Sequence, residues 1–177
     1  MTPQDFIAKL RADADIIRRA APSMSQEIAE STLTLIKDRS INEGILIDGR
    51  EGNKAQYSTR RINTQKFKGK ERNRAGSAYI AANMLGTWHE FRKAQGLNSE
   101  PVNLSYNNDM WENIQILQTR DNGDGKANTI VGSYDEETNK KILGNTALFG
   151  DFLTPTEDEL KIAQEVLQEK ILKLLRQ

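Results

Sequence analysis

The stretch NIQILQTRDNGDGKANTIVGSY, residues 113–134, decides the fold class. Ile114 and Ile116 alternate with polar residues, as they do in a strand with one buried face. Between the two runs, DNGDGK (121–126) contains Asn-Gly and Asp-Gly, which tolerate the positive φ of tight turns. The stretch therefore predicts an antiparallel hairpin with strands over 113–120 and 127–134.

Helices are predicted on the carboxyl side of this hairpin. DEETNKKILGN (135–145) has acids at its start and Gly144 at its stop, which indicates a short helix. LTPTEDELKIAQEVLQEKILKLLRQ (153–177) reads as a long one. In it Thr154 is the predicted N-cap, Pro155 the first helical residue and Glu157 the closing member of a capping box.

Helices are also predicted on the amino side. Thr2 is a candidate N-cap for a first helix that APS (21–23) breaks. Ser23 and Gln26 read as a capping box that opens a second helix, which ends before Gly44. Residues 77–96 read as one helix with an internal Gly86. We expect an α+β fold: a small antiparallel sheet with a hairpin, packed by an N-terminal helix pair (1–44) and the long C-terminal helix.

Composition limits the chemistry and the number of domains. A chain of 177 residues is expected to form a single domain, and its 37% hydrophobic content indicates a modest core with much polar surface. The absence of cysteine excludes disulfides and thiolate metal sites. The one histidine, His89, has no second histidine with which to form a zinc site. We expect a protein that is not an enzyme and that needs no cofactor or metal.

No apolar run approaches the roughly 20 residues needed to span a bilayer. The amino terminus also lacks the apolar region of a secretory signal peptide. We therefore expect a protein that is made in a cytoplasm and does not associate with a membrane.

The strongest anomaly is the basic segment, which we define as residues 50–74. It holds nine basic and two acidic residues, although the whole chain is neutral. It shows no helical or alternating periodicity, which predicts a long arm or loop, not a packed element, beside an α+β core over 75–177. Its predicted charge contacts are Arg60, Arg61, Lys66, Lys68, Lys70, Arg72 and Arg74.

Three interpretations of the basic segment stay open. It is a solvated loop, a contact for nucleic-acid phosphates, or an arm that docks on a neighbouring copy. Tyr57, Ile62 and Phe67 favour docking on protein, because an electrostatic DNA tail does not need evenly spaced apolar anchors. On that interpretation, deleting residues 54–74 is expected to leave a folded domain.

The order of features resembles the neck and tail-completion proteins of tailed bacteriophages, the head–tail joining or virion-morphogenesis group. The resemblance covers about residues 50–177. Its motifs lie in a basic segment with Tyr and Arg, a "VNL…NNDM" segment, two strands, and a turn that opens the last helix. One departure is Asn-Asn-Asp before Met110, where the family has Thr-Gly. The matching positions are Val102, Asn103, Leu104, Asn107, Asn108, Met110, Ile114, Phe149, Gly150, Asp151, Phe152, Leu153, Thr154, Glu157 and Asp158.

The resemblance implies a structural protein of the virion. Such proteins form hexameric or dodecameric rings that join the portal, or connector, to the tail around the DNA channel. A basic segment complementary to the acidic remainder of a neighbour suits a head-to-tail ring. Residues 148–153 are expected to pack at the entrance of the last helix, through Phe149, Gly150 and Phe152. The alternative function is a small nucleic-acid-binding protein that uses residues 54–74.

Overall fold

A computed structural model describes residues 2–46, 57, 60–97, 99, 104 and 109–176. In these ranges the chain is α+β, with six α-helices and two two-stranded antiparallel sheets. The elements are α1 (Pro3–Asp38), β1 (Ile62–Asn63), α2 (Arg74–Ala82), β2 (Leu85–Gly86), α3 (Trp88–Ala94), α4 (Asp109–Asn113), β3 (Gln115–Gly123), β4 (Lys126–Gly132), α5 (Glu136–Phe149) and α6 (Glu157–Leu175).

The structure contains two compact units, and the single domain stays a prediction. Unit 1 comprises residues 1–37, 109–144 and 153–177, and unit 2 comprises residues 38–108 and 145–152. Unit 1 therefore contains the hairpin and the last helix, and unit 2 contains the described part of the basic segment.

In unit 1 the predicted N-terminal helix pair is a single helix. The Thr2 hydroxyl accepts the Asp5 N–H at 3.2 Å, which confirms the predicted start, but α1 continues through Pro22 without a break. Proline removes one backbone hydrogen bond and costs a helix interior about 3 kcal/mol. Ala21, Met24 and Leu33 are buried on either side of Pro22, and this burial offsets the cost.

The hairpin prediction is confirmed. β3 and β4 pair antiparallel, and Gly123 lies opposite Lys126. Asp124 and Gly125 form the two-residue turn, with φ of 52° and 74°. Both values are positive, as a type I′ turn requires.

Two helix boundaries in the carboxyl third differ from the prediction. α5 does not stop at Gly144 but continues to Phe149, and Gly150 ends it with a φ of 80°. The capping box of α6 lies two residues later than predicted, because Thr156 and Glu159 form it instead of Thr154 and Glu157. Both Thr-x-x-acid spacings occur in TPTEDE, and only the structure distinguishes between them.

In unit 2 the predicted single helix over 77–96 is two helices separated by a strand. α2 ends at Ala82, and Leu85 and Gly86 form β2, which pairs with Ile62 and Asn63 of β1. A capping box then opens α3. Gly86 therefore lies in a strand just before the start of a new helix, not inside a helix.

The prediction that the basic segment is not a packed element is corrected for residues 60–74. They form β1, a 3₁₀ turn over Thr64–Phe67 and the start of α2. Phe67 is buried, and the Thr64 N–H donates to the Met84 carbonyl at 3.1 Å. Deleting residues 54–74 would thus remove part of the core of unit 2.

Some predictions lie outside the described residues. These are the rest of the basic segment (50–56, 58 and 59) and the motif positions Val102, Asn103, Asn107 and Asn108. Two motif positions that are described, Met110 and Ile114, are buried at the ends of α4. Across the described ranges, no helix combines the length and the apolar character that crossing a membrane requires.

Candidate cationic interface

An aromatic cluster holds the basic segment of unit 2 in place. The Phe67 ring stacks on the Phe91 ring with centroids 4.8 Å apart. Trp88 lies 5.4 Å from each of these rings, and Tyr79 lies 5.9 Å from Phe91. Rings at these distances add about 0.5–1.5 kcal/mol per pair beyond their burial. The 3₁₀ turn that carries Lys66 is therefore fixed to α2 and α3.

Glu90 is the centre of a polar network beside this cluster. Its carboxylate accepts the Thr87 N–H at 3.0 Å and the Tyr79 hydroxyl at 2.9 Å, and it pairs with the Arg61 guanidinium at 3.2 Å. These bonds stabilise the charged carboxylate, so the pKa of Glu90 is lowered, mainly by the Thr87 N–H. Burial and the bond to Glu90 raise the pKa of Tyr79 to about 12.

Gln95 at the end of α3 fastens the other end of the basic segment. Its side-chain oxygen accepts the Arg72 N–H at 2.7 Å, and its backbone carbonyl accepts the Asn73 amide at 2.9 Å. Asn73 in turn caps α2, because its side chain accepts the Gly76 N–H at 3.1 Å. The backbone of residues 72–76 is thus positioned by hydrogen bonds at both ends.

The predicted basic side chains lie on the surface of this scaffold. We call Arg60, Arg61, Lys66, Lys68, Lys70, Arg72 and Arg74 the cationic surface, and all seven are exposed. Arg61 is paired with Glu90, and the Lys70 ammonium lies 5.6 Å from the Trp88 ring centroid. Among the described residues, Lys66, Lys68 and Arg74 form no ion pair. Their charge is available to a partner.

The three predicted apolar anchors have a different role from the one expected. Phe67 is in the aromatic cluster, and Ile62 packs against that cluster. Tyr57 is half-buried, with the Arg92 guanidinium 4.8 Å from its ring centroid. Phe67 and Ile62 therefore stabilise their own unit, and the argument that they dock on a neighbour no longer holds.

The predicted turn before the last helix is only partly a packing element. Phe152 is fully buried and Phe149 is half-buried, whereas Leu148 is 76% exposed. Gly150 caps α5 by donating its N–H to the Thr146 carbonyl at 3.0 Å. Thr154 and Glu157 are exposed.

Sequence reasoning missed Thr87, Tyr79 and Glu90. The Thr-x-x-Glu spacing of TWHE (87–90) was the available signal, since it is a capping-box pattern. His89, in the middle of that pattern, is half-buried on α3. The described ranges contain no group of three or more His, Cys, Asp or Glu residues that could hold a metal ion.

Comparisons with protein-family models, with curated proteins and with solved structures gave no significant match to this chain.

Proposed function

We propose that this chain is a structural, non-enzymatic protein of a tailed-phage neck, forming a ring that joins the portal or connector to the tail around the DNA channel. One observation carries the proposal: Lys66, Lys68 and Arg74 project, without ion pairs among the described residues, from a scaffold held by aromatic stacking and hydrogen bonds. Fixed, unpaired cations suit a permanent contact with an acidic surface.

Both neighbours of such a ring subunit supply negative charge. The chain outside residues 50–74 is as acidic as that segment is basic, so a second copy offers a complementary surface. A contact between two different surfaces of one chain repeats head to tail, and it forms a ring when the rotation between copies closes. DNA in the channel offers phosphates to the same cations. The resemblance of residues 50–177 to neck proteins favours the ring, and the virion neck is the location that follows from it.

A second candidate function, nucleic-acid binding outside a virion, is favoured by the position of Phe67. This predicted protein-docking anchor belongs to the core of unit 2, and the side chains that residues 60–74 leave exposed are mainly charged. Charge without apolar contact is the usual basis of sequence-independent phosphate binding.

The test measures the mass of the purified chain by light scattering, at low and high salt, with electron microscopy of the same samples. We expect closed rings of six or twelve copies with a central opening. A chain that stays a monomer or dimer in all conditions and binds duplex DNA would overturn the ring in favour of the second candidate.

A matched pair of variants shows whether the cationic surface makes the contact. K66A/K68A/R74A removes three unpaired cations. The control, R120A/K140A/K141A, removes three exposed cations of unit 1. If the surface binds a partner, only the first triple variant loses assembly or DNA binding. For DNA, it should reduce the slope of log K against log salt by about 2.7. If both triple variants lose assembly or DNA binding equally, the net charge of the chain, and not the cationic surface, determines the contact.

A further inference from the structure

An open apolar groove of about 540 Å³ lies in unit 1, between α1, the hairpin and α6. Side chains bridge the three elements at its edges: Ser25 and Thr129 share a hydrogen bond at 2.9 Å, and Lys170 pairs with Glu27. The volume lies in the range of about 300–1,000 Å³ that is usual for binding sites. Its lining includes Ile17, Met24, Ile28, Val131, Ala163 and Leu167.

The first turns of α1, residues 3–12, form what we call the tip. Every residue of the tip is exposed. Phe6, Ile7 and Leu10 are 53%, 49% and 51% exposed, so three large apolar side chains lie in solvent. Their spacing places them on one side of a helix, which is the arrangement by which an amphipathic helix binds an apolar groove.

The tip and the groove belong to the same face of α1. Steps of three and four residues lead from Phe6 through Leu10 and Ala14 to Ile17, where the groove begins. Phe6 lies eleven residues before Ile17, which is about 16 Å along a helix that rises 1.5 Å per residue. A tip that extends the helical wall of a groove cannot turn back into it. Whatever fills the groove comes from elsewhere.

The charges of the two surfaces are complementary. The tip carries Lys9 and Arg11, which form no ion pair among the described residues, and its one acid, Asp5, is bonded to Thr2. The helical walls of the groove, residues 17–36 and 157–171, hold seven acids and four bases, so their net charge is negative. These acids are Glu27, Glu30, Glu157, Asp158, Glu159, Glu165 and Glu169.

From these observations we propose that the groove binds the tip of a second copy of this chain. Phe6, Ile7 and Leu10 of one copy enter the groove of the next, and Lys9 and Arg11 lie against its acidic walls. The proposal deepens the proposed ring and rests on it in one respect, since it adds a second contact between neighbouring copies to the one proposed at the cationic surface. The tip and the groove are different surfaces, so the contact is of the kind that builds rings.

Cross-linking between two differently labelled populations tests the contact. The chain has no cysteine, so one population carries L10C and the other, with an affinity tag, carries A163C. We expect a short bis-maleimide to join the two populations into a mixed dimer at several times the yield given by L148C with A163C. Leu148 is the more exposed residue, at 76%, so it is a strict control for chance collision. A mixed-dimer yield equal to that control would overturn the proposal.

A second measurement separates this proposal from the proposed function. F6D/L10D places two charges in the tip, at side chains that are about half exposed, and should weaken association at least about 100-fold. The control L143D/L148D changes two exposed leucines of α5 and should leave the mass unchanged.

Each result has a distinct meaning. Rings that dissociate only with F6D/L10D support both proposals. A wild-type dimer that F6D/L10D dissociates supports the tip contact and overturns the ring. Rings that F6D/L10D leaves intact support the ring and overturn the tip contact. A wild-type chain that is a monomer overturns the tip contact.

Discussion

Unit 2 and unit 1 use their apolar residues in opposite ways. In unit 2, Phe67, Phe91 and Ile80 are enclosed in one cluster, and polar side chains seal its edges. In unit 1, long amphipathic helices leave an apolar groove and an apolar tip uncovered. Burying apolar surface stabilises a fold only when a partner covers it. The difference teaches where the proposed tip contact would act: a second copy would cover the apolar groove that unit 1 leaves open.

Among the changes that test this difference between the units, removing the Phe91 side chain should lower the unfolding free energy the most. Phe91 touches Phe67, Trp88 and Tyr79, and Phe91→Ala leaves a cavity that should cost about 3–5 kcal/mol of unfolding free energy. Each unit has one tryptophan, Trp88 in unit 2 and Trp111 in unit 1. Chemical denaturation followed by fluorescence in W111F and W88F backgrounds therefore reports the two units separately.

We expect F91A to shift the Trp88 transition strongly. Leu148→Ala, at an exposed site, should change neither transition by more than about 0.5 kcal/mol. If F91A shifts both transitions equally, the two units unfold as one and the comparison fails.

Gly86→Ala should have the next largest effect. A Cβ at Gly86 would lie 2.1 Å from the Tyr79 hydroxyl oxygen, which Glu90 holds in place. Overpacking of this kind costs about 1–3 kcal/mol. The cost, measured by the same denaturation, should fall when Tyr79→Phe removes the hydroxyl. An undiminished cost in the double variant would mean that the clash lies elsewhere.

The matched glycine is Gly144 in α5, where a Cβ would meet nothing within 4 Å. Gly144→Ala should stabilise the chain by about 0.5–1 kcal/mol, because glycine is the poorer helix former.

The two capping boxes allow a finer comparison of the units. Thr87 caps α3 in unit 2 and Thr156 caps α6 in unit 1, each with a glutamate three residues later. Replacing either threonine by alanine should cost about 1 kcal/mol. T87A should move only the Trp88 transition and T156A only the Trp111 transition. A shift of the opposite transition would reveal coupling between the units.

The smallest predicted effect is spectroscopic. The pKa of Tyr79 is raised to about 12, so one of four tyrosines should ionise well above the ordinary value near 10. Because the folded pKa is the higher one, this group supports folding fully below pH 10 and loses that contribution as the pH rises through about 12. Ultraviolet absorbance titration should show a late step that is absent in Y79F. In E90Q the step should move to lower pH but stay late, since burial is the larger cause.

The sequence was sufficient to predict those elements whose local residues favour only one backbone conformation. The hairpin follows from Asp124-Gly125, and the start of α1 follows from Thr2 and Pro3. It was insufficient where long-range packing decides. Pro22 reads as a helix end because its local cost is real, and only the burial around it keeps α1 continuous. Gly86 reads as a helix interior until β1 supplies its pairing partner.

The cationic surface was predictable and its scaffold was not. Charge content identified Lys66, Lys68 and Arg74, because long basic side chains stay in solvent whatever the fold. Phe67 was assigned to an arm because its partners, Phe91 and Trp88, lie more than twenty residues away in sequence. The spacing of residues within one segment does not show which aromatic side chains of another helix will pack against it.

The continuity of α1 gives its length a geometrical meaning. Each residue turns a helix by about 100° and advances it by 1.5 Å. One alanine inserted between Asp13 and Ala14 would rotate Phe6 and Leu10 away from the direction in which the groove faces. In the proposed ring, the angle between successive copies would change with it, and a contact that closes after a fixed number of copies would wind into an open helix. If the tip contact forms as proposed, the number of residues between the tip and the groove sets the symmetry of the assembly.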